Sequence, residues 1–286
     1  MKQISTVLVV FLITLVNPLL AQKSFDIPNS KITERFIENL PNKLGALNLK
    51  DLRTSLNSIT IRIWKNNEVF TINHNDSTFL DYKLYIKNNE LLVRSFKFSE
   101  AISQPLLNKL IDAKITDLEN DNFRGIDGSF IYIETSTKKK YKIVSFWSPS
   151  SERSADNKTL IQILKMLNQA IDSKHLKHHY LNSLSPGNYT WGTSTIRIDS
   201  FLDEKIHKTN FYNKAETKIR NKLKITDSTK HWEYPVVFIN NSIAKISNLN
   251  LYNNEDVTKF KIIPPDMGSV LYGNMGRNGV IVVDAK

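Results

Sequence analysis

The sequence predicts an α+β fold, with helices packed on an antiparallel sheet. Short segments of alternating apolar and polar residues occur in pairs around Asn-rich turns, and segments with helical apolar spacing follow them. Pro186-Gly187 breaks both helix and strand, so a domain boundary is predicted at this point. We therefore expect an α+β domain over residues 22–184 and a smaller α+β domain over residues 185–286.

The first domain is predicted to contain three hairpins and three helices. Apolar residues with helical spacing at Ile32, Phe36 and Leu40 predict an opening helix that ends at Pro41. The hairpin turns are expected at 66–67, 88–89 and 136–139, where Asn, Ser, Thr and Lys separate the alternating runs. One helix is expected to open at Ser99-Glu100, and a long one near residue 156.

The second domain is predicted from fewer signals. Residues 196–198 alternate as a strand does, and residues 211–223 have the spacing of an amphipathic helix. The wholly apolar run after Pro235, up to residue 239, is typical of a short buried strand.

Residues 1–21 have the features of a secretory signal peptide. Lys2 precedes a largely apolar run over 7–16, and the small residue Ala21 stands where a signal peptidase cuts. The run is shorter than the ~20 residues that a spanning helix needs, so we expect cleavage and no transmembrane span afterwards. The chain has no cysteine, which excludes disulfides and the cysteine-linked lipid that tethers bacterial lipoproteins. We expect export to the periplasm or the cell surface, outer-membrane association included.

The chain is basic, with a formal net charge of +11. A basic surface suits acidic partners such as glycans or membrane phosphates. The lysines are spread among Asn, Asp and Glu and form no dense block, which is typical of a solvated basic face. The sequence has neither an arginine-rich helix nor an aromatic-basic strand motif, so no nucleic-acid partner is expected.

Three blocks near the C-terminus follow one family pattern. Pro235 precedes four apolar residues, a strand is predicted over 257–263, and the last block comprises Tyr272, Gly273, Gly276, Asn278 and Gly279 before an alternating run. In these blocks the region resembles the plug domain of TonB-dependent outer-membrane receptors, particularly the Bacteroidetes type. The glycines permit positive φ and close backbone approach. The family motif is therefore expected to be structural.

The region also departs from the family pattern. Asn240-Asn241 replaces the family's Asp-Gly, and Pro264-Pro265 stands where a Lys and an alanine-rich segment are found. In receptors the plug precedes a barrel of about 22 strands. The sequence stops at Lys286, so we expect a plug-like module without its barrel. The resemblance covers about the final fifth of the chain and implies binding, by analogy with receptors.

Several residues are candidates for chemistry. On one continuous helix, Asp172, His175 and His179 would share a face, which makes them weak candidates for metal ligands. Two pairs of acidic residues, Glu119 with Asp121 and Asp203 with Glu204, are candidates for acid-base catalysis. The aromatic residues Trp147, Tyr189 and Trp191 are candidates for lining a binding cleft. No Gly-x-Ser-x-Gly occurs, and the glycine cluster lacks the Lys-Ser/Thr pair of a phosphate cradle.

The sequence favours non-catalytic binding of an envelope protein or a glycan, with no cofactor and no metal. One alternative is an exported hydrolase or metal-binding enzyme whose site lies within residues 23–184 and uses carboxylates or the histidine cluster. Another is that the first domain carries the whole function and the C-terminal region is a structural addition.

Overall fold

The computed structural model describes residues 23–286, and the predicted signal peptide lies outside them. The described residues form two units, one of 23–83 with 95–170 and one of 84–94 with 171–286. The second unit thus begins before the predicted boundary at 184. Hydrogen bonds explain why: the Tyr180 hydroxyl donates to the Leu92 carbonyl at 2.8 Å, and Arg94 donates to the Ser183 hydroxyl.

The first unit contains most of one mixed sheet. Its strands are β1 (Ser24–Asp26), β2 (Ile59–Lys65), β3 (Glu68–His74), β4 (Thr78–Lys87), β5 (Leu91–Phe98), β6 (Phe130–Ser136) and β7 (Lys140–Trp147), and 84–94 is the part of the β4–β5 hairpin in the second unit. They lie in the order β1-β7-β6-β2-β3-β4, with β5 also paired to β4. Strand β1 pairs with β7 in parallel, whereas the β2–β3, β2–β6 and β6–β7 pairs are antiparallel. The three predicted hairpins are confirmed.

Three helices complete the first unit: α1 (Lys31–Ala46), α2 (Glu100–Asp112) and α3 (Ala155–Ala170). The prediction that α1 ends at Pro41 was wrong, since the helix continues through it. Phe36, Leu40 and Leu44 are all buried, so one apolar stripe extends past the proline. Burial of this stripe outweighs the backbone hydrogen bond that proline cannot make.

A buried ion pair lies between β2 and β6 of the first unit. Arg62 Nη1 is 3.6 Å from Glu134 Oε2, and both side chains are almost fully buried. Glu134 also accepts hydrogen bonds from Trp64 Nε1 at 2.5 Å and from the Tyr141 hydroxyl at 2.9 Å. Arg62 donates through Nε to Thr71 and through Nη2 to the Lys50 carbonyl. Burial lowers the pKa of Arg62, and the nearby Glu134 opposes this change.

The second unit contains a hairpin, a small sheet and three helices. These are α4 (Ser173–Asn182), β8 (Gly187–Trp191), β9 (Ser194–Ile198), α5 (Asn210–Leu223), β10 (Val236–Ile239), β11 (Ser242–Ala244), β12 (Val257–Ile263), α6 (Pro265–Tyr272) and β13 (Val280–Ala285). The small sheet has the order β11-β10-β13-β12. Strands β10 and β13 are parallel, and the other two pairs are antiparallel. Short 3₁₀ turns occur at His231–Glu233, Ile246–Leu251 and Gly273–Gly276.

The two faces of the small sheet are covered differently. On one face, α5 places Phe211, Ala215 and Ile219 in a core with side chains of β10, β12 and β13. On the other face, a smaller cluster packs against Tyr272 near the end of α6. Strand β8 and helix α6 were not predicted from the sequence, because Gly187 lies inside the first and Gly268 inside the second.

Together the two units confirm the predicted α+β class, with helices packed on sheets. None of the helices formed by residues 23–286 has the length and apolar character required to cross a lipid bilayer.

Candidate functional site

A cavity of about 320 Å³ lies in the second unit. It is bounded by the β8–β9 hairpin, the 3₁₀ turn His231–Glu233, the start of the small sheet and the loop that precedes β13. Its lining combines aromatic, cationic and amide side chains with a few apolar ones: Asn188, Thr195, Arg197, Trp232, Tyr234, Val236, Ile243, Asn274, Met275, Arg277 and Asn278. The C-terminal motif therefore contributes Asn278 to the lining of the cavity.

Arg197 is the most firmly held cation of the lining. Its Nη2 atom donates to Asp199 Oδ2 at 2.8 Å and to the Ala244 carbonyl. Within the part of the chain that the structure describes, Arg197 Nε is buried and has no hydrogen-bond acceptor. An unsatisfied buried donor is costly, and the Arg197 side chain that carries it also lines the cavity.

Asp199 is a buried carboxylate that positions Arg197. The carboxylate is buried and also accepts hydrogen bonds from the backbone N–H groups of Ile246 and Ser200. Burial raises the pKa of Asp199, and the ion pair with Arg197 opposes that rise. These contacts fix the direction of the guanidinium relative to β9 and β11.

Trp232 forms an aromatic wall that the motif holds in place. Asn278 Nδ2 donates to the Trp232 carbonyl at 3.0 Å, and the Tyr234 carbonyl lies 3.5 Å away. The ring of His178 packs on the indole, with centroids 5.2 Å apart, and Lys230 Nζ is 5.7 Å from the indole centroid. Tyr234 packs edge-on against Phe201. The aromatic surface is therefore fixed by packing as well as by hydrogen bonds.

The motif glycines shape the loop below this wall. Gly273 and Gly279 have φ values of 60° and 93°, which strain residues that carry a Cβ. Gly276 approaches Gly268 of α6 so closely that a Cβ would lie 2.1 Å from the Gly268 carbonyl oxygen. Pro235 is buried just before β10, and Tyr272 packs against Phe238 with ring centroids 5.2 Å apart.

Two histidines beside the aromatic wall, His178 and His231, have lowered pKa values, which predict a pH-dependent contribution to stability. Burial lowers the pKa of His178, and Lys230, Lys174 and His175 lower it further while Glu233 opposes them. Burial also lowers the pKa of His231, against Asp199 and the backbone contact with Asn182. A depressed folded-state pKa means that the unfolded chain binds more protons, so stability is lost as pH falls.

We therefore expect the urea midpoint of the protein to fall as pH is lowered through about 6.5, the ordinary histidine value. A variant with His178→Gln and His231→Gln should show a flatter dependence between about pH 7 and 5.5. The exposed His207→Gln variant is the matched control and should keep the wild-type slope. Equal slopes for all three proteins would contradict the assignment.

The weak metal candidates are not arranged as ligands. The predicted long helix breaks at Asp172, whose φ of 46° is left-handed, and α4 starts afresh after it. Asp172 caps α4 by accepting a hydrogen bond from the backbone N–H of His175, while His179 lies in the last turn. Over residues 23–286, no group of three His, Asp or Glu side chains is placed to hold a metal ion.

The acidic candidates are dispersed. Glu119 pairs with Lys142 at 2.9 Å, and Asp121 lies 3.7 Å from Arg153. Asp203 and Glu204 are exposed on a loop. A groove of about 630 Å³ in the first unit contains Asp51, held by Arg53, and Asp81, which lies 3.7 Å from Lys83.

The aromatic candidates mainly pack within the fold. Trp147 lies against Phe130 with ring centroids 4.7 Å apart. Tyr189 is buried and donates to the Ser185 carbonyl, while Trp191 ends β8 half-buried. The cavity residues Arg197, Trp232 and Arg277 were not predicted, because their value depends on long-range contacts. The only local signal was the motif residue Asn278.

Comparison of the chain with protein-family models, with curated proteins and with solved structures gave no match. The chemistry of the cavity is therefore read from its own residues. Among the described side chains that line it there is no carboxylate and no histidine, so the lining offers donors, acceptors and ring faces. Such a set suits recognition of a polar ligand.

Proposed function

We propose that the protein is an exported, non-catalytic binding protein of the bacterial envelope, and that its cavity binds an acidic saccharide. The observation that carries this proposal is the side chain of Arg197, which lines a cavity walled by Trp232 and Tyr234 and whose Nε has no hydrogen-bond acceptor among the described residues. The signal-peptide pattern and the resemblance to receptor plug domains support an envelope location and a binding role.

Each part of a sugar acid has a counterpart in the lining. The faces of Trp232 and Tyr234 offer apolar area to the C–H face of a sugar ring. The amides of Asn188 and Asn274 can donate to and accept from hydroxyl groups, and Asn278 can accept through its Oδ1 while its Nδ2 holds the Trp232 carbonyl. A volume of about 320 Å³ falls at the lower end of the range of small-ligand cavities, about 300–1,000 Å³.

The charges of the lining favour an acid over a neutral sugar. Arg197 and Arg277 both reach the cavity, and the nearest buried carboxylate, Asp199, is already engaged by one arginine and by backbone donors. A ligand carboxylate beside the Arg197 guanidinium would form a charge-assisted hydrogen bond. Such bonds contribute about 1.5–3 kcal/mol, so an acidic sugar should bind at least about tenfold more tightly than its neutral analogue.

The proposal is tested by titrating the purified protein with glucuronic or galacturonic acid and with glucose or galactose, by calorimetry. We expect heat and saturation with the acids and at least about tenfold weaker binding of the neutral sugars. Arg197→Gln should weaken acid binding by about tenfold to a hundredfold. Arg35→Gln, on the exposed face of α1, removes the same charge elsewhere and should leave the affinity unchanged.

Two outcomes would end the proposal. One is equal affinity for acidic and neutral sugars, and the other is an Arg197→Gln variant that binds the acid as tightly as the Arg35→Gln control. Absence of binding by every sugar acid up to about millimolar concentration would count equally against it. Release of a hydrolysed product from an acidic oligosaccharide would instead favour the hydrolase alternative.

A further inference from the structure

Strand β12 leaves one edge of the small sheet open. It is the terminal strand in the order β11-β10-β13-β12, and its only ladder in the described chain is with β13. A terminal strand of this length carries a row of backbone N–H and C=O groups directed away from its partner. Such a row can pair with an extended segment of another chain.

A groove runs along this edge, between β12 and α5. Phe211 of α5 packs edge-on against Phe260 of β12, with ring centroids 5.6 Å apart. Two adjoining depressions of about 500 and 200 Å³ share Lys218 and Phe260. One extends to the C-terminal ends of α5 and β12, and the other to their N-terminal ends. The helix and the strand therefore run alongside each other in the same direction.

The groove has an apolar floor and a basic rim. Ala215, Phe260 and Ile262 form the floor. The rim carries exposed lysines from both elements: Lys214, Lys218 and Lys222 of α5, and Lys259 of β12. Among the described residues only Lys259 of these four has an ion pair, with Asp284 at 3.0 Å. On α5 itself, Glu216 instead pairs with Lys208 and Arg220, outside this row.

The spacing of the helical lysines matches that of an extended peptide. Residues four apart on a helix are about 6 Å apart along its axis. Alternate residues of a strand, which point to the same face, are about 6.6 Å apart. Lys214, Lys218 and Lys222 can therefore meet successive side chains on one face of a strand laid beside β12.

From these observations we propose that the groove between β12 and α5 binds an extended acidic segment of a partner protein, which adds to the sheet as a fifth strand. Backbone hydrogen bonds to β12 supply affinity, and Asp or Glu at alternate positions pair with the lysines of α5. A second copy of this chain is a poor occupant, because its own β12 edge carries the same lysines and the formal net charge is +11.

The test uses the purified protein and a peptide of about eight residues, alternating Val and Glu, the length of an ordinary strand. We expect binding that weakens with added salt, and at least about tenfold weaker binding when Gln replaces Glu. N-methylation of alternate peptide N–H groups should abolish binding, because it removes the ladder. Amide exchange within 257–263 should slow when the peptide is bound.

Matched variants locate the site. Replacing Lys214, Lys218 and Lys222 with Gln should weaken binding by at least about tenfold. Replacing the exposed lysines Lys109, Lys138 and Lys158 of the first unit removes the same charge and should not change it.

Several results would overturn the proposal. If neither the Val-Glu peptide nor its Gln analogue binds, the lysines serve only to prevent this edge from pairing with other strands. If the N-methylated peptide binds as well as the parent, the attraction is purely electrostatic. If the protein forms a dimer with a protected β12, the occupant is a second copy. Saccharide binding at the cavity lined by Arg197 is measured separately, so its outcome does not affect this proposal.

Discussion

Replacing Glu134 with alanine is expected to destabilise the first unit by about 3–5 kcal/mol. The change leaves Arg62 buried with no carboxylate, while Trp64 and Tyr141 lose the acceptor of their hydrogen bonds. Removing one partner of a buried pair costs far more than the pair itself contributes, because the remaining charge stays desolvated. The midpoint of thermal unfolding should fall by about ten degrees.

Two controls make this prediction specific. Asp26→Ala removes a carboxylate from the exposed pair with Lys140 and should cost less than about 1 kcal/mol. Adding Arg62→Met to Glu134→Leu should recover much of the stability that Glu134→Leu loses, because no buried charge remains. A Glu134→Ala protein as stable as the Asp26→Ala control would show that the buried pair does not contribute in this way.

Replacing Gly276 with alanine is expected to destabilise the second unit by about 1–3 kcal/mol or more. The new Cβ would lie 2.1 Å from the carbonyl oxygen of Gly268 and 2.5 Å from its carbonyl carbon. Both are backbone atoms of α6, so the clash is relieved only if α6 and the following 3₁₀ turn separate. Because Asn274 and Met275 lie in that turn, affinity at the cavity should fall with stability.

The matched control is Gly45→Ala in α1. No atom lies within 4 Å of a Cβ built there, and the change should stabilise the helix by about 0.5–1 kcal/mol. Urea unfolding of both variants measures the difference. If Gly276→Ala unfolds at the wild-type midpoint, the glycine pair does not determine how closely α6 and the turn approach.

The parts of the fold that were predicted from sequence have strong local periodicity. The β2–β3 hairpin was predicted because Ile59, Ile61 and Ile63 alternate before an Asn-rich turn. Helix α5 was predicted because its buried residues, among them Ala215 and Ile219, are four apart. In such segments burial and local propensity favour the same structure.

Other parts could not be predicted because tertiary contacts override the local signal. Pro41 remains inside α1 because Leu44 joins the buried stripe beyond it. The apolar run of α3 suggested continuity to the histidines, yet Asp172 turns left-handed and caps a new helix. Gly268 lowers the helix propensity of α6, while its contact with Gly276 explains why a glycine stands there.

The candidate site shows the same limit. Arg197, Trp232 and Asn278 are far apart in sequence and come together only through pairing across the second unit. Arg197 is one of many cations in a basic chain, and its importance depends on Asp199 beneath it and on the lack of an acceptor at Nε. Neither property is encoded in a local pattern.

The central position of β13 restricts when the small sheet can assemble. This strand follows β10, β11 and β12 along the chain, yet it pairs with both β10 and β12. While a ribosome still holds residues 280–285, neither of those ladders exists, and only the short β10–β11 contact is available. The small sheet therefore forms late, after β13 has become free to pair with both of its neighbours.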